Sequence, residues 1–118
     1  MGLDIYFKKI KEVGYFRKVN FLVAYFEKKG LDVENQGIIY IKKEDVEELL
    51  NRCNTVLKDH SKAPKLLPTM DGFFFGNTQY TDKYFKDVED VRNYLKDKLI
   101  PQYNTLTDDE QIIFEINY

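Results

Sequence analysis

The sequence predicts an α+β fold: a sheet of about four strands with three helices mainly on one face, in the order β-α-β-α-β-α-β. Three observations predict it. Apolar residues alternate near both ends of the chain, the mark of strands with one buried face. Between them lie stripes with the 3.6-residue spacing of amphipathic helices. Short apolar runs bounded by glycine separate those stripes. The 118 residues fit one domain, residues 1–118. At that length roughly two-thirds of the unfolded surface is buried on folding, enough for one core without disulfide or metal support.

The first strand is read over Leu3-Asp4-Ile5-Tyr6-Phe7-Lys8, with Leu3, Ile5 and Phe7 on one face. From Tyr15 to Lys29 the apolar positions Phe16, Val19, Val23 and Phe26 recur at helical spacing. Phe21, Leu22, Ala24 and Tyr25 fill much of the remainder, so this helix is expected to be buried on most sides. Gly30 after Lys28-Lys29 suits a helix C′ position behind cations at the negative helix end. Ile38-Ile39-Tyr40-Ile41 is β-branched and aromatic, hence a second strand.

The clearest stripe follows: Val46, Leu49, Leu50, Cys53, Leu57 and His60 mark one face of a helix from about Lys43 to His60. Glu44 and Asp45 favour its first turn, Lys58 and His60 its last. Ser61 to Thr69 contains Pro64 and Pro68 and reads as a connection. Gly72-Phe73-Phe74-Phe75-Gly76 reads as a short buried strand. Asp87-Val88-Glu89-Asp90 resembles a helix start, Val88, Val91, Leu95 and Leu99 form the stripe, and Pro101 is expected to stop the helix. Gln111 to Tyr118 sets Ile112, Phe114 and Ile116 against Ile113, Glu115 and Asn117, a C-terminal strand.

Composition excludes several classes of function. The longest apolar run, Phe21 to Phe26, is far short of the ~20 residues of a spanning helix. Neither a myristoylation pattern nor a secretory leader opens the chain, so the expected location is the cytoplasm. Cys53 is the lone cysteine and His60 the lone histidine. A disulfide framework, a cysteine zinc site and most His-dependent nucleophilic catalysis therefore lack parts. Glycine-rich phosphate loops are absent, since Gly72 and Gly76 match neither dinucleotide nor P-loop spacing. No cofactor is expected.

Charge is uneven along the chain. Residues 1–43 carry nine Lys/Arg and five Asp/Glu, whereas residues 44–118 carry nine and fifteen. A basic part facing an acidic part can steer a polyanion or a charged protein. Lys8, Lys9, Lys11, Arg17, Lys18, Lys28 and Lys29, with Tyr6, Tyr15 and Tyr25 among them, are candidates for a basic face with stacking rings. Lysine outnumbers arginine fifteen to three, which weakens a nucleic-acid reading, because arginine is the preferred bidentate fork. The segment Asp71 to Phe85 holds six aromatics around polar residues. Asn77, Thr78, Tyr80 and Tyr84 are its candidate contact residues, with a core strand and turn as the plainer reading. Asp4, Asp71, Asp82 and Asp87 are the carboxylates that would have to converge for metal-dependent hydrolysis.

Met1-Gly2-Leu3-Asp4-Ile5-Tyr6 and the run Gly72-Phe73-Phe74-Phe75-Gly76-Asn77-Thr78-Gln79-Tyr80, continued by Tyr84-Phe85-Lys86-Asp87-Val88-Glu89-Asp90, carry a family resemblance. With Lys43-Glu44-Asp45-Val46-Glu47-Glu48-Leu49-Leu50 between them, they make the chain resemble a family of small uncharacterised phage and prophage proteins. The family begins MGLDxY and carries GFFFGxTxY followed by YFxD, and has no established catalytic residues. In size and composition the chain is similar to anti-CRISPR proteins acting on a type VI-B RNA-guided RNase. The resemblance implies a non-enzymatic inhibitor that binds a host defence effector and interferes with guide-RNA loading or target access. Two other classes stay open: a nucleic-acid-binding accessory protein and a small metal-dependent hydrolase. Partner identity and oligomeric state are not legible at this level.

Overall fold

The computed structural model describes residues 2–35, 37–72 and 77–117, and the fold it shows is mostly helical. In chain order the elements are α1 (Asn20–Lys28), β1 (Ile38–Tyr40), α2 (Lys43–Lys58), a 3₁₀ turn (His60–Lys62), α3 (Ala63–Leu66), α4 (Asp82–Tyr94), a π-turn (Leu95–Leu99), α5 (Ile100–Tyr103) and β2 (Ile113–Glu115). β1 and β2 pair antiparallel, with Ile39 opposite Phe114, and form a two-stranded sheet.

This overturns the four-stranded α+β sheet. Leu3–Lys8 forms no strand: it belongs to an arm, residues 2–18, without regular structure, and its apolar side chains face solvent. Alternation marks a strand only where a sheet edge and a core receive it. Here helices occupy the core. Residues 73–76 of the strand read between Gly72 and Gly76 lie outside the described residues.

Each helix has a local cause. α1 begins at Asn20 rather than Tyr15 and ends in a Schellman motif. Gly30 takes φ 114°, a left-handed value that favours glycine, its N–H donates to Glu27 O, and that of Leu31 to Phe26 O. Six of the nine α1 residues are buried, as the near-continuous apolar sequence requires. α2 carries Glu44 and Asp45 in its first turn and buries Val46, Leu49, Cys53 and Val56. α4 starts at Asp82, one turn before the Asp87 start that the sequence suggests, and buries Tyr84, Val88 and Val91.

Pro101 does not end this last helix. It has no N–H to donate, and the backbone accommodates it through a π-turn in which Ile100 N–H reaches five residues back to Leu95 O. The helix then continues to Tyr103. The segment Ser61–Thr69, expected as a plain connection, contains the 3₁₀ turn and α3, with Pro64 near the α3 start where a missing N–H costs nothing.

α2 and α4 face each other across the core, and α1 and the inner face of the sheet close it. Phe26 stacks on Phe114 at 4.4 Å, and Phe21 meets Tyr84 edge-on at 5.6 Å. Asn20 is the buried polar residue of this core. Its amide donates to Met70 O and accepts from Met70 N–H, both at 2.7 Å, replacing a backbone ladder rung between α1 and the loop after α3. The radius of gyration, 15.1 Å, exceeds the roughly 13.5 Å of a compact domain this long. An arm lying off the core accounts for the excess.

Candidate functional site

The arm is the largest apolar surface that the described chain leaves uncovered. Leu3, Ile5 and Phe7 are 85%, 75% and 100% exposed, and Tyr6, Ile10 and Tyr15 are exposed beside them. Single exposed apolar residues are ordinary, but a contiguous run of this size marks an interaction surface. Asp4 and Glu12 are its only acidic residues against Lys8, Lys9, Lys11, Arg17 and Lys18, so the arm is net positive.

Two anchors set where it lies. At its root Tyr94 of α4 donates its hydroxyl to Val13 O at 3.0 Å and receives Phe16 edge-on at 5.4 Å. Lys18, at φ 55°, turns the chain into α1. Further out, Lys8 Nζ donates to the Tyr40 hydroxyl at 3.1 Å and lies 5.7 Å from the Tyr6 and Tyr40 ring centres. A groove of about 680 Å³ runs from these residues to the sheet end, lined also by Lys42, Tyr103 and Glu110. The Tyr103 hydroxyl, held above its ordinary pKa by burial, donates to Ile41 O at 2.7 Å and fixes the groove floor.

β1 completes the surface. Gly37 O accepts from Ile116 N–H and Ile41 N–H donates to Ile112 O, so residues 37, 39 and 41 turn their backbone groups toward β2. In an antiparallel ladder the intervening residues must face the other way. The N–H and C=O groups of Ile38 and Tyr40 therefore point away from β2, along an edge that no described strand pairs, and both side chains are 52% exposed.

The residues singled out from sequence fall into two groups. Tyr6, Lys8, Lys9, Lys11, Arg17 and Lys18 all belong to the exposed arm and its turn into α1. Asn77, Thr78, Tyr80 and Tyr84 lie apart from the arm, with Asn77 exposed, Thr78 and Tyr80 partly buried and Tyr84 buried. Asn77 Oδ1 accepts from Gln79 N–H, Thr78 O accepts from the Thr69 hydroxyl, and Tyr80 meets Tyr84 edge-on at 4.9 Å. Tyr84 is a core residue whose hydroxyl donates to Leu67 O at 2.7 Å, and burial raises its pKa. Sequence reasoning missed Ile38 and Tyr40 as surface residues, and placed Leu3, Ile5 and Phe7 in a half-buried sheet.

Elsewhere the polar groups are matched to one another. Glu48 accepts from Lys29 at 3.0 Å and pairs with Arg52 at 2.8 Å beside a shallow groove of about 540 Å³. Lys29 and Arg52 lie 5.4 and 5.8 Å from the Tyr25 ring centre, and burial followed by Glu48 holds the Tyr25 phenol protonated. Asp87 pairs with Lys83 on α4, Asp82 lies in the first turn of that helix, and Asp4 is exposed on the arm. Among the described residues no three His, Cys, Asp or Glu side chains are placed to hold a metal ion. Burial pushes the Cys53 thiol up to about 12, so it stays protonated and unreactive at neutral pH. His60 stacks on Phe85 at 3.7 Å. No described helix is long and apolar enough to cross a membrane.

Comparisons of the chain with protein-family models, curated proteins and solved structures find no match.

Proposed function

We propose that this protein is a non-enzymatic inhibitor of phage or mobile-element type that binds a host defence effector. The effector proposed is a type VI-B RNA-guided RNase, with interference at guide-RNA loading or target access. The observation that supports binding is the arm, whose Leu3, Ile5, Tyr6, Phe7 and Ile10 are exposed together and find no cover within the described chain. The choice of a defence effector rests on the resemblance of the MGLDIY opening and the GFFFGNTQY and YFKDVED segments to small phage proteins. A net-positive apolar arm suits a protein surface next to bound RNA.

One observation favours a second reading, the nucleic-acid-binding accessory protein. Tyr6, Lys8 and Tyr40 set two exposed rings around one ammonium group, a pattern that accepts stacked bases as well as side chains. The two readings separate in a pull-down of the tagged protein from lysates expressing RNA-guided effectors, with and without RNase. Stoichiometric effector recovery that survives RNase, and is lost in Phe7→Asp, is the expected result. Recovery of RNA alone, or of proteins that RNase removes, overturns the inhibitor reading in favour of the accessory one.

A further inference from the structure

The arm and the open edge of β1 are two halves of one interaction, and both sit on the same chain. We propose that a second copy of this protein occupies them: the arm of each copy adds as a strand to the β1 edge of the other, forming a closed two-fold dimer by arm exchange. This goes beyond the inhibitor reading by giving the arm a partner in the free protein, one that an effector would have to displace.

The donor half is the arm. Leu3, Ile5 and Phe7 have the period-two alternation of a strand with one apolar face. Among the described residues no backbone–backbone hydrogen bond ties residues 2–18 to the rest of the chain, and Val13 O, which accepts from Tyr94, lies at the arm root, so the outer stretch around Leu3–Phe7 is open to a ladder. The acceptor half is β1, whose register turns the backbone groups of Ile38 and Tyr40 outward. An open edge of this kind templates another strand. The Lys8–Tyr40 hydrogen bond shows that the arm reaches this edge in its own copy. Leu3, Ile5 and Phe7 stay exposed there all the same, with no cover from the described residues.

The size of the patch fits a second copy. The exposed parts of Tyr6, Phe7, Tyr15 and Tyr40 amount to roughly 500 Å² at about 150–250 Å² per ring. Leu3, Ile5, Ile10 and Ile38 bring the patch to the order of 800 Å², what each partner contributes to a stable interface. When two copies exchange arms reciprocally, both donors and both acceptors are satisfied and no edge is left over to grow a filament.

The test uses the purified full chain alone, so its outcome is independent of any effector. Sedimentation is followed from low to high micromolar concentration, and amide exchange is read at Ile38 and Tyr40. The expected result is a concentration-dependent dimer in which both amides are protected. Ile5→Pro removes an arm N–H and Phe7→Asp charges its apolar face, both in exposed positions away from the core. Each variant weakens dimerisation by about tenfold or more and exposes the two amides, with far-UV circular dichroism unchanged. A wild-type chain that stays monomeric throughout overturns the proposal. So does a dimer that persists in both variants, or one in which the Ile38 and Tyr40 amides exchange as in an open strand. An arm that pairs with its own β1 gives protected amides in a monomer and likewise overturns it.

Discussion

Tyr94 closes directly onto Gly14. Its hydroxyl donates to Val13 O at 3.0 Å, and a Cβ built on Gly14 would overlap the Tyr94 ring and hydroxyl. The contact spans 81 positions of the sequence, from the root of the arm to the end of α4. It is the main tie between the exposed arm and the helical body.

Gly14→Ala therefore forces the far end of the Tyr94 side chain aside. The variant loses the hydrogen bond to Val13 and the edge contact with Phe16, at a combined cost of about 1–2 kcal/mol. Tyr94→Phe removes the hydroxyl alone and costs about 0.5–1 kcal/mol. Urea titrations followed by circular dichroism measure both. Equal stability of Gly14→Ala and wild type would mean that the arm root is not held by Tyr94.

The α2 stripe is expected to govern stability and nothing else. Leu49 and Cys53 are fully buried in the core, and neither reaches the arm surface. Leu49→Ala leaves a cavity and costs about 2–5 kcal/mol. Cys53 supplies the readout, because its buried thiol reacts with a disulfide reagent only when the core opens. Thiol labelling should be slow in the native protein and faster in Leu49→Ala in proportion to the lost stability. Rapid labelling of the native chain would contradict this packing.

The α4 stripe, the Val46–Leu49–Cys53 part of the α2 stripe and the terminal Ile112–Phe114–Ile116 face were legible in the sequence because local periodicity and burial agree there, whereas α2 ends at Lys58, buries Val56 and leaves His60 exposed in the turn beyond it. Ile112 and Ile116 are buried and Phe114 packs on Phe26. Gly30 was legible too, since a C′ glycine satisfies orphan helix carbonyls by a purely local geometry. The arm was not. Leu3, Ile5 and Phe7 show the same period whether a sheet of their own chain, another chain or no strand receives them. Pairing depends on which edges are free, and that is decided at long range. Pro101 failed for a different reason: a π-turn carries the helix past it, and nothing in the residues before it announces one. The exposure of Ile38 and Tyr40 was hidden because an apolar β run reads as buried, and which of its residues a core covers is decided by distant packing.

Glu48 ties α1 to α2 through Lys29 and pairs with Arg52 one turn along. The hydrogen bond from Lys29 holds its carboxyl below the ordinary carboxylate value, with the Lys29 and Arg52 charges acting in the same direction. The unfolded chain, with a carboxyl pKa near ~4.3, then binds more protons than the folded one between the two values, so stability rises with pH across that window. The contribution is complete above the unfolded pKa and is lost as pH falls through the folded one. Lys29 behaves oppositely: its hydrogen bond to Glu48 raises its pKa, so its share is complete below the unfolded value and fades as pH climbs through the folded one. The Glu48 and Lys29 side chains are 39% and 31% exposed, so solvent screening limits the pair to less than about 1 kcal/mol. Glu48→Gln should accordingly be slightly less stable than wild type near neutrality. The gap should close in strong salt and at a pH well below ~4, where the carboxylate is protonated in both states. Urea midpoints of both proteins at neutral and acid pH measure it. A gap that survives acid would assign the Glu48 contribution to packing rather than to charge.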